Sequence, residues 1–209
     1  MKRCERFWTS DQNDAIARQH IQRGCSLFFP PEVMGAHIGP SRSHQTGRAI
    51  PLGFRAGTAM FGHMGIEWDV RSLDEDGRAE LRAHLDNYKR HRALIHSGDL
   101  YRIPFEDAGG QGWAVVAPDG AEALVSLARW VPAQYTAAEL VRVPGLKADA
   151  DYRVRVLPPI AAGSSEIAAH LQDWAGDGKV IGGSVIRENG LRLAPTMPQC
   201  LNLLHIERV

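Results

Sequence analysis

Cysteine is scarce, with Cys4, Cys25 and Cys200 the only three in 209 residues. An odd set without a CxxC spacing excludes a disulfide framework or a zinc knuckle as the organising device and suits a reducing cytoplasm. Net charge is also lacking: Lys plus Arg and Asp plus Glu both total 24. No basic field is available to hold a phosphate backbone, so nucleic acid is not an expected partner. No apolar run is long enough to span a membrane. The opening Met1-Lys2-Arg3-Cys4-Glu5-Arg6 is basic, but Phe7-Trp8 runs straight into Thr9-Ser10-Asp11-Gln12. Without an apolar stretch there, a secretory signal is not expected, and the expected location is cytoplasmic. The nine histidines include His37, His44 and His63 at irregular separations, so neither a metal nor a cofactor is expected.

What is present is an ordinary globular composition, 44% hydrophobic and 23% charged, enough for one generous domain or two small ones. The first half alternates apolar and amphipathic stretches as α/β proteins do. Residues 11–24 read as a helix with Ala15, Ile16, Gln19 and Ile21 on its apolar stripe, and 25–29 as a short buried strand stopped by Pro30-Pro31. Residues 34–52 read as a long loop, 54–62 as a helical or mixed segment, and 65–70 as a strand. Ser72 and Glu75 form a capping box before a helix carrying Leu81, Leu85, Tyr88 and Ile95 on one face, with Gly98 placed to end it.

Beyond Gly98 the pattern becomes strand-like. Residues 113–116 and 123–127 flank Pro118-Asp119-Gly120 and should form a hairpin. Further strands are expected at 139–143, 152–157, 180–187 and 201–207, giving an antiparallel β-sandwich. The expected fold class is therefore α/β plus all-β, with domains 1–98 and 99–209. A complete (β/α)₈ barrel needs roughly 250 residues, so the first module reads as part of a barrel.

The candidate chemistry sits in Ser10-Asp11-Gln12-Asn13-Asp14. One reading makes Asp11 the N-cap of a helix and Asp14 an N3 carboxylate favoured by the helix dipole. The other makes Asp11 a reactive carboxylate beside Trp8 at a strand-to-helix junction, where barrel enzymes place catalytic groups. Trp8 itself reads as core or as part of such a site. His37, His44 and Arg48 either line a pocket mouth or belong to a loop held by its own hydrogen bonds.

The residues Phe7-Trp8-Thr9-Ser10-Asp11-Gln12-Asn13-Asp14-Ala15, Ile21-Gln22-Arg23-Gly24, Phe29-Pro30-Pro31-Glu32-Val33-Met34-Gly35-Ala36-His37-Ile38-Gly39-Pro40, His44-Gln45-Thr46-Gly47-Arg48, Phe54-Arg55-Ala56 and Phe61-Gly62-His63-Met64-Gly65-Ile66-Glu67-Trp68-Asp69 resemble, in order and spacing, the α-galactosidases of glycoside hydrolase family 36. Val143-Pro144-Gly145-Leu146 and Asp151-Tyr152-Arg153-Val154 resemble that family's C-terminal domain. The resemblance implies the C-terminal portion of a (β/α)₈ barrel followed by an antiparallel β-sandwich. It implies retaining hydrolysis of terminal α-galactose from raffinose- and melibiose-type oligosaccharides, with assembly as a homo-oligomer at full length. It makes Asp11 the general acid/base, with Trp8 and Asp11 touching substrate. The family's nucleophile lies in a Lys-Trp-Asp motif that does not occur in these 209 residues. The Cys-Ser-x-Gly-type segment and the acids that hold the galactose hydroxyls are likewise expected upstream, and Glu67 reads as structural. The chain is thus expected to be a fragment with half of a catalytic site. A non-catalytic carbohydrate-binding or structural module, or a truncated reading frame starting at an internal Met1, are the other readings.

Overall fold

The computed structural model describes residues 5–105, 107–132, 139–161, 170–193 and 197–209, which form two compact units, Met1–His96 and Ser97–Val209. The first holds a parallel sheet of β1 (Phe7–Trp8), β2 (Met34–Ile38) and β3 (His63–Ile66), ordered β1-β2-β3. Helices α1 (Ala15–Cys25), α2 (Leu52–Ala59) and α3 (Glu75–Ile95) follow the strands in turn.

Alternation within β2 decides which face is covered. Met34, Ala36 and Ile38 are fully buried, and Ala36 and Ile38 share a core with Leu52, Ala56 and Ala59 of α2 and Leu81 of α3. Gly35 and His37 therefore belong to the opposite face, where His37 is exposed. This strand lies in the stretch expected to be a loop, because Gly35 and His37 interrupt the apolar run without breaking its period of two.

Two further expectations are corrected. Residues 25–29 are not a buried strand: α1 runs through Cys25, and Leu27, Phe28 and Phe29 are 65%, 80% and 38% exposed. The run is apolar, but among the described residues it has no neighbouring strand to pair with, and only Phe29 finds an aromatic partner there, Phe7, at 4.8 Å. Helix α3 begins with Asp74, not Ser72, as its N-cap; the Asp74 carboxylate accepts from the Gly77 N–H at 2.8 Å. Ser72 instead ends a 3₁₀ turn, Val70–Ser72, and the helix stops at His96 rather than at Gly98.

The second unit is antiparallel throughout. Strands β4 (Asp99–Ile103), β5 (Gly110–Val116), β6 (Glu122–Arg129), β7 (Glu139–Val141), β8 (Asp151–Leu157), β9 (Lys179–Gly182), β10 (Leu191–Leu193) and β11 (Cys200–Arg208) form a six-stranded sheet, β4-β5-β6-β11-β8-β9, and a two-stranded one, β10-β7. The hairpin expected around Pro118-Asp119-Gly120 is β5–β6, and Gly120 has the positive φ of 68° that its turn requires. Val141, Leu191 and Leu193 of the small sheet share one apolar core with Val125, Val154, Val156, Leu204 and Ile206 of the large one. Tyr152 is buried in that core because its hydroxyl is satisfied twice, donating to Gly120 O at 2.6 Å and accepting from the Lys147 N–H at 2.8 Å. Strands β4 and β10 were not anticipated, and residues 183–187 leave the expected strand for a π-helical turn, Val185–Asn189. Cys25 and Cys200 are free thiols, and Cys4 lies outside the described residues. No helix among the described residues is long and apolar enough to cross a membrane.

Two histidines of the first unit link its stability to pH. His84 is 5% exposed on α3, and burial lowers its pKa against the opposing pull of Glu80. His96, stacked on His63 at 4.5 Å, is lowered by burial, then by His63 and Arg92, with Glu32 opposing. Folding disfavours both protonated forms, so the unfolded chain binds more protons as pH falls. The stabilisation is complete above the unfolded histidine pKa of about 6.5 and declines as pH drops toward the lower folded values. Urea titrations of the chain between pH 7.5 and 5 are expected to show this decline, and His84→Gln should flatten it.

Candidate active site

The three parallel strands end on the same side, and the chain places a distinct group beyond each end. Asp11 follows β1, the 39–50 loop follows β2, and Glu67 follows β3. The β1-to-α1 connection is set by Asp14. Its carboxylate caps α1, with Oδ1 accepting from the Ile16 N–H at 2.9 Å and the Ala17 N–H at 3.2 Å. The same carboxylate accepts from Thr46 Oγ1 at 2.6 Å and from Arg48 Nη1 at 2.9 Å, and it is wholly buried. Asp14 is thus the cap, and the reading of Asp11 as N-cap is overturned: its side chain lies three residues too early to reach the first free amides.

Freed from capping, the exposed Asp11 accepts at Oδ1 from the Trp8 indole N–H at 2.9 Å. Trp8 is 40% exposed, so it is not plain core. Its ring lies over Gly35, where a Cβ would meet the indole at 3.0 Å, and packs against the His37 ring at 4.4 Å. His37 in turn lies over Gly65, where a Cβ would come within 2.6 Å of the imidazole. Glycine at both positions lets the rings lie on the backbone of the sheet. His37 Nδ1 stands 3.7 Å from Glu67 Oε2, so Asp11, Trp8, His37 and Glu67 form a row across the three strand ends.

The 39–50 loop is held from two sides. Gln45 Nε2 donates to Asp11 O at 2.7 Å, and Asn13 Oδ1 accepts from Ser43 Oγ at 2.9 Å and the His44 N–H at 3.1 Å. Asn13 Nδ2 also meets His44 Nδ1 at 3.2 Å. From beneath, the buried Arg55 donates to Ile50 O at 3.0 Å and to Gly39 O, with its guanidinium 4.9 Å from the centre of the Trp68 ring. Burial lowers the Arg55 pKa despite the pull of Glu80. His44 and Arg48 therefore hold the loop to the helix start, whereas His37 faces the site from β2.

Sequence reasoning missed Arg18, Asn13 and Gln45. The buried face of α1 is Ala15, Arg18, Gln19 and Gln22, in place of the stripe through Ile16 and Ile21. Its spacing of three and four was visible, but polar side chains concealed it; Gln19, for example, donates to Thr58 Oγ1 at 2.8 Å. A depression of about 520 Å³ lies apart from the row, along α3, between Leu73, Leu81, Leu85, Arg78 and Arg82. It contributes no residue to the chemistry around Asp11.

Comparison with known proteins gives the family. The melibiase family model matches residues 1–98, and that of the glycosyl hydrolase family 36 C-terminal domain matches residues 111–205. The α-galactosidase of Escherichia coli is 39% identical over 212 residues, covering 100% of this chain and 30% of its own length. The bifunctional α-galactosidase/sucrose kinase AgaSK of Mediterraneibacter gnavus is 38% identical over 148 residues, 70% of this chain and 16% of its own. The galactosidase domain of AgaSK superposes with a TM-score of 0.82 at 28% identity, over 98% of this chain and 26% of that one. A variant of AgaA from Geobacillus stearothermophilus, solved in complex with raffinose, gives 0.82 at 29% identity over the same shares. All of these are glycoside hydrolases. The chain belongs to glycoside hydrolase family 36, the α-galactosidases, and spans about 30% of the length of the Escherichia coli relative.

Replacing Asp14 removes a helix cap and leaves Arg48 and Thr46 without their acceptor. Asp14→Ala is expected to cost about 3 kcal/mol, the sum of a lost cap and of the charge-assisted hydrogen bonds that the buried carboxylate accepts from Thr46 and the part-exposed Arg48. Asp14→Asn, which can still cap, should cost less. Chemical denaturation measures both, and limited proteolysis should find the 39–50 loop cut first in Asp14→Ala.

Proposed function

We propose that this chain carries the acid/base half of a retaining α-galactosidase site, with Asp11 as the general acid/base and Trp8 and Asp11 as the substrate contacts. The observation that carries the reading is the release of Asp11 from helix capping: Asp14 takes that task, and Asp11 stands exposed at a strand end with Trp8 as its donor. On this reading residues 1–98 are the end of a (β/α)₈ barrel and 99–209 a β-sandwich. Parallel strands each followed by a helix, and two antiparallel sheets around one core, support it. The raffinose and stachyose bound by AgaA variants point to α-galactosyl oligosaccharides as the substrate class.

The chemistry follows from the groups present. An indole N–H only donates, so Oδ1 of Asp11 is committed as acceptor and the acid proton resides on Oδ2. Oδ2 protonates the glycosidic oxygen as the bond to the sugar breaks. Asp11 then takes a proton from the water that releases the sugar. Retention requires a second carboxylate about 5 to 5.5 Å away to hold the sugar covalently between these steps. That group belongs to the Lys-Trp-Asp motif, which is not among these 209 residues, so the complete site needs this chain and a nucleophile-bearing segment together.

Joining the chain to the preceding barrel segment of the Escherichia coli relative should produce release of nitrophenol from an aryl α-galactoside, and the chain alone should release none. Asp11→Asn in the joined protein is expected to lower kcat at least 100-fold, the usual contribution of a general acid. Full turnover in Asp11→Asn would sink the assignment and favour a binding or structural module.

A further inference from the structure

We infer that Arg18 is a positioning residue for the Asp11 carboxylate and acts through Trp8: its guanidinium fixes the indole ring, and the ring fixes Oδ1. The inference rests on the reading of Asp11 as acid/base but concerns a residue that does not touch the reacting atoms.

Arg18 is 4% exposed on the inner face of α1, one turn after Asp14. Burying a guanidinium is costly unless its donors are satisfied, and the partners of Arg18 are instructive. Nη1 donates to Ser10 O at 2.7 Å, the carbonyl of the peptide that leads into Asp11. Nη2 donates to Gly35 O at 3.3 Å, on the strand beside Trp8. The guanidinium carbon lies 5.3 Å from the centre of the Trp8 ring, within range of a cation–π attraction. One side chain thus holds the indole, the peptide before Asp11 and the neighbouring strand, while His37 meets the same indole at 4.4 Å. Burial lowers the Arg18 pKa more than Cys25 and Glu67 raise it.

The geometry asks for arginine in particular. A planar fork can stack on a ring and donate to two carbonyls together, whereas an ammonium is a point charge that cannot satisfy all three at once. A residue that merely filled the α1 face would tolerate that exchange without altering Asp11. A positioning residue would not.

The experiment follows the Trp8 indole N–H by ¹H–¹⁵N correlation in the full 209-residue chain during an acid titration. The Trp8 signal should shift as Asp11 takes up its proton, and the step should be absent in Asp11→Asn. In Arg18→Lys the step is expected to shrink at least about two-fold, and the Trp8 indole order parameter to fall. The indoles of Trp68, Trp113, Trp130 and Trp174 should stay in place. Arg18→Met should abolish the step; if it unfolds, as those other indoles would reveal, Arg18→Lys decides. An undiminished step in Arg18→Lys overturns the inference. A second arm leaves Arg18 unsubstituted: its guanidinium signals should move between the native chain and Asp11→Asn, and unchanged signals also overturn it. The titration is independent of turnover. Full turnover of the joined protein carrying Asp11→Asn, beside an Arg18-dependent step in the chain, refutes only the catalytic reading, and turnover lost in Asp11→Asn without that dependence refutes only the positioning inference.

Discussion

A carboxylate taken wholly out of water must find all its hydrogen bonds inside the protein, and Asp14 is the residue on which the first unit turns. Its acceptors serve two amides of α1, the hydroxyl of Thr46 and the guanidinium of Arg48. Satisfying them fixes where α1 begins, and the first helical hydrogen bond, from the Arg18 N–H to Asp14 O, follows at 2.9 Å. Once that register is set, Arg18 falls beneath Trp8 and the 39–50 loop is drawn over the helix start. Asp11 is left outside the helix with an indole for company. A buried acid and an exposed one thus sit three residues apart, and the burial of the one defines the exposure of the other.

How much of this could be read beforehand depended on whether local sequence or distant partners set each element. The β5–β6 hairpin was legible because Pro118-Asp119-Gly120 encodes its own turn. Helix α3 was legible from its long apolar repeat, although its start was misplaced by two residues, since Asp74 competes with Ser72 for the cap and presents a carboxylate to the Gly77 amide. Strand β2 was hidden by Gly35 and His37, whose presence makes sense only once Trp8 and β3 are in place. The run from Cys25 to Phe29 misled in the opposite sense, being apolar without a neighbour to cover it. The buried face of α1 escaped because Arg18, Gln19 and Gln22 are buried by virtue of their partners, and those partners lie on other segments.

The motif around Asp11 was the most legible feature of the site, and its meaning still changed. Resemblance identified Asp11 as the residue to watch, while the residues alone left it divided between cap and catalyst. Geometry took the cap from Asp11 and gave it to Asp14, whose cap bonds are local and whose bonds to Thr46 and Arg48 span more than thirty residues of sequence. Such contacts have no signature in a short motif. Spacing could suggest that one of two aspartates capped the helix; only the loop returning from β2 shows which.

Gly35 and Gly65 carry an implication for how such a surface can vary. The rings of Trp8 and His37 occupy the volume that side chains at those glycines would need, so the layer above the strands is a single ring thick. Its contour is inherited directly from the pleat of the main chain. Diversification there is steered toward exchanging one flat group for another, which alters hydrogen bonding while sparing the packed interior, whereas even a methyl group would force the His37 ring off Gly65 and crowd the Trp8 ring over Gly35. Variation at this surface is thereby channelled into changing the rings and keeping the glycines.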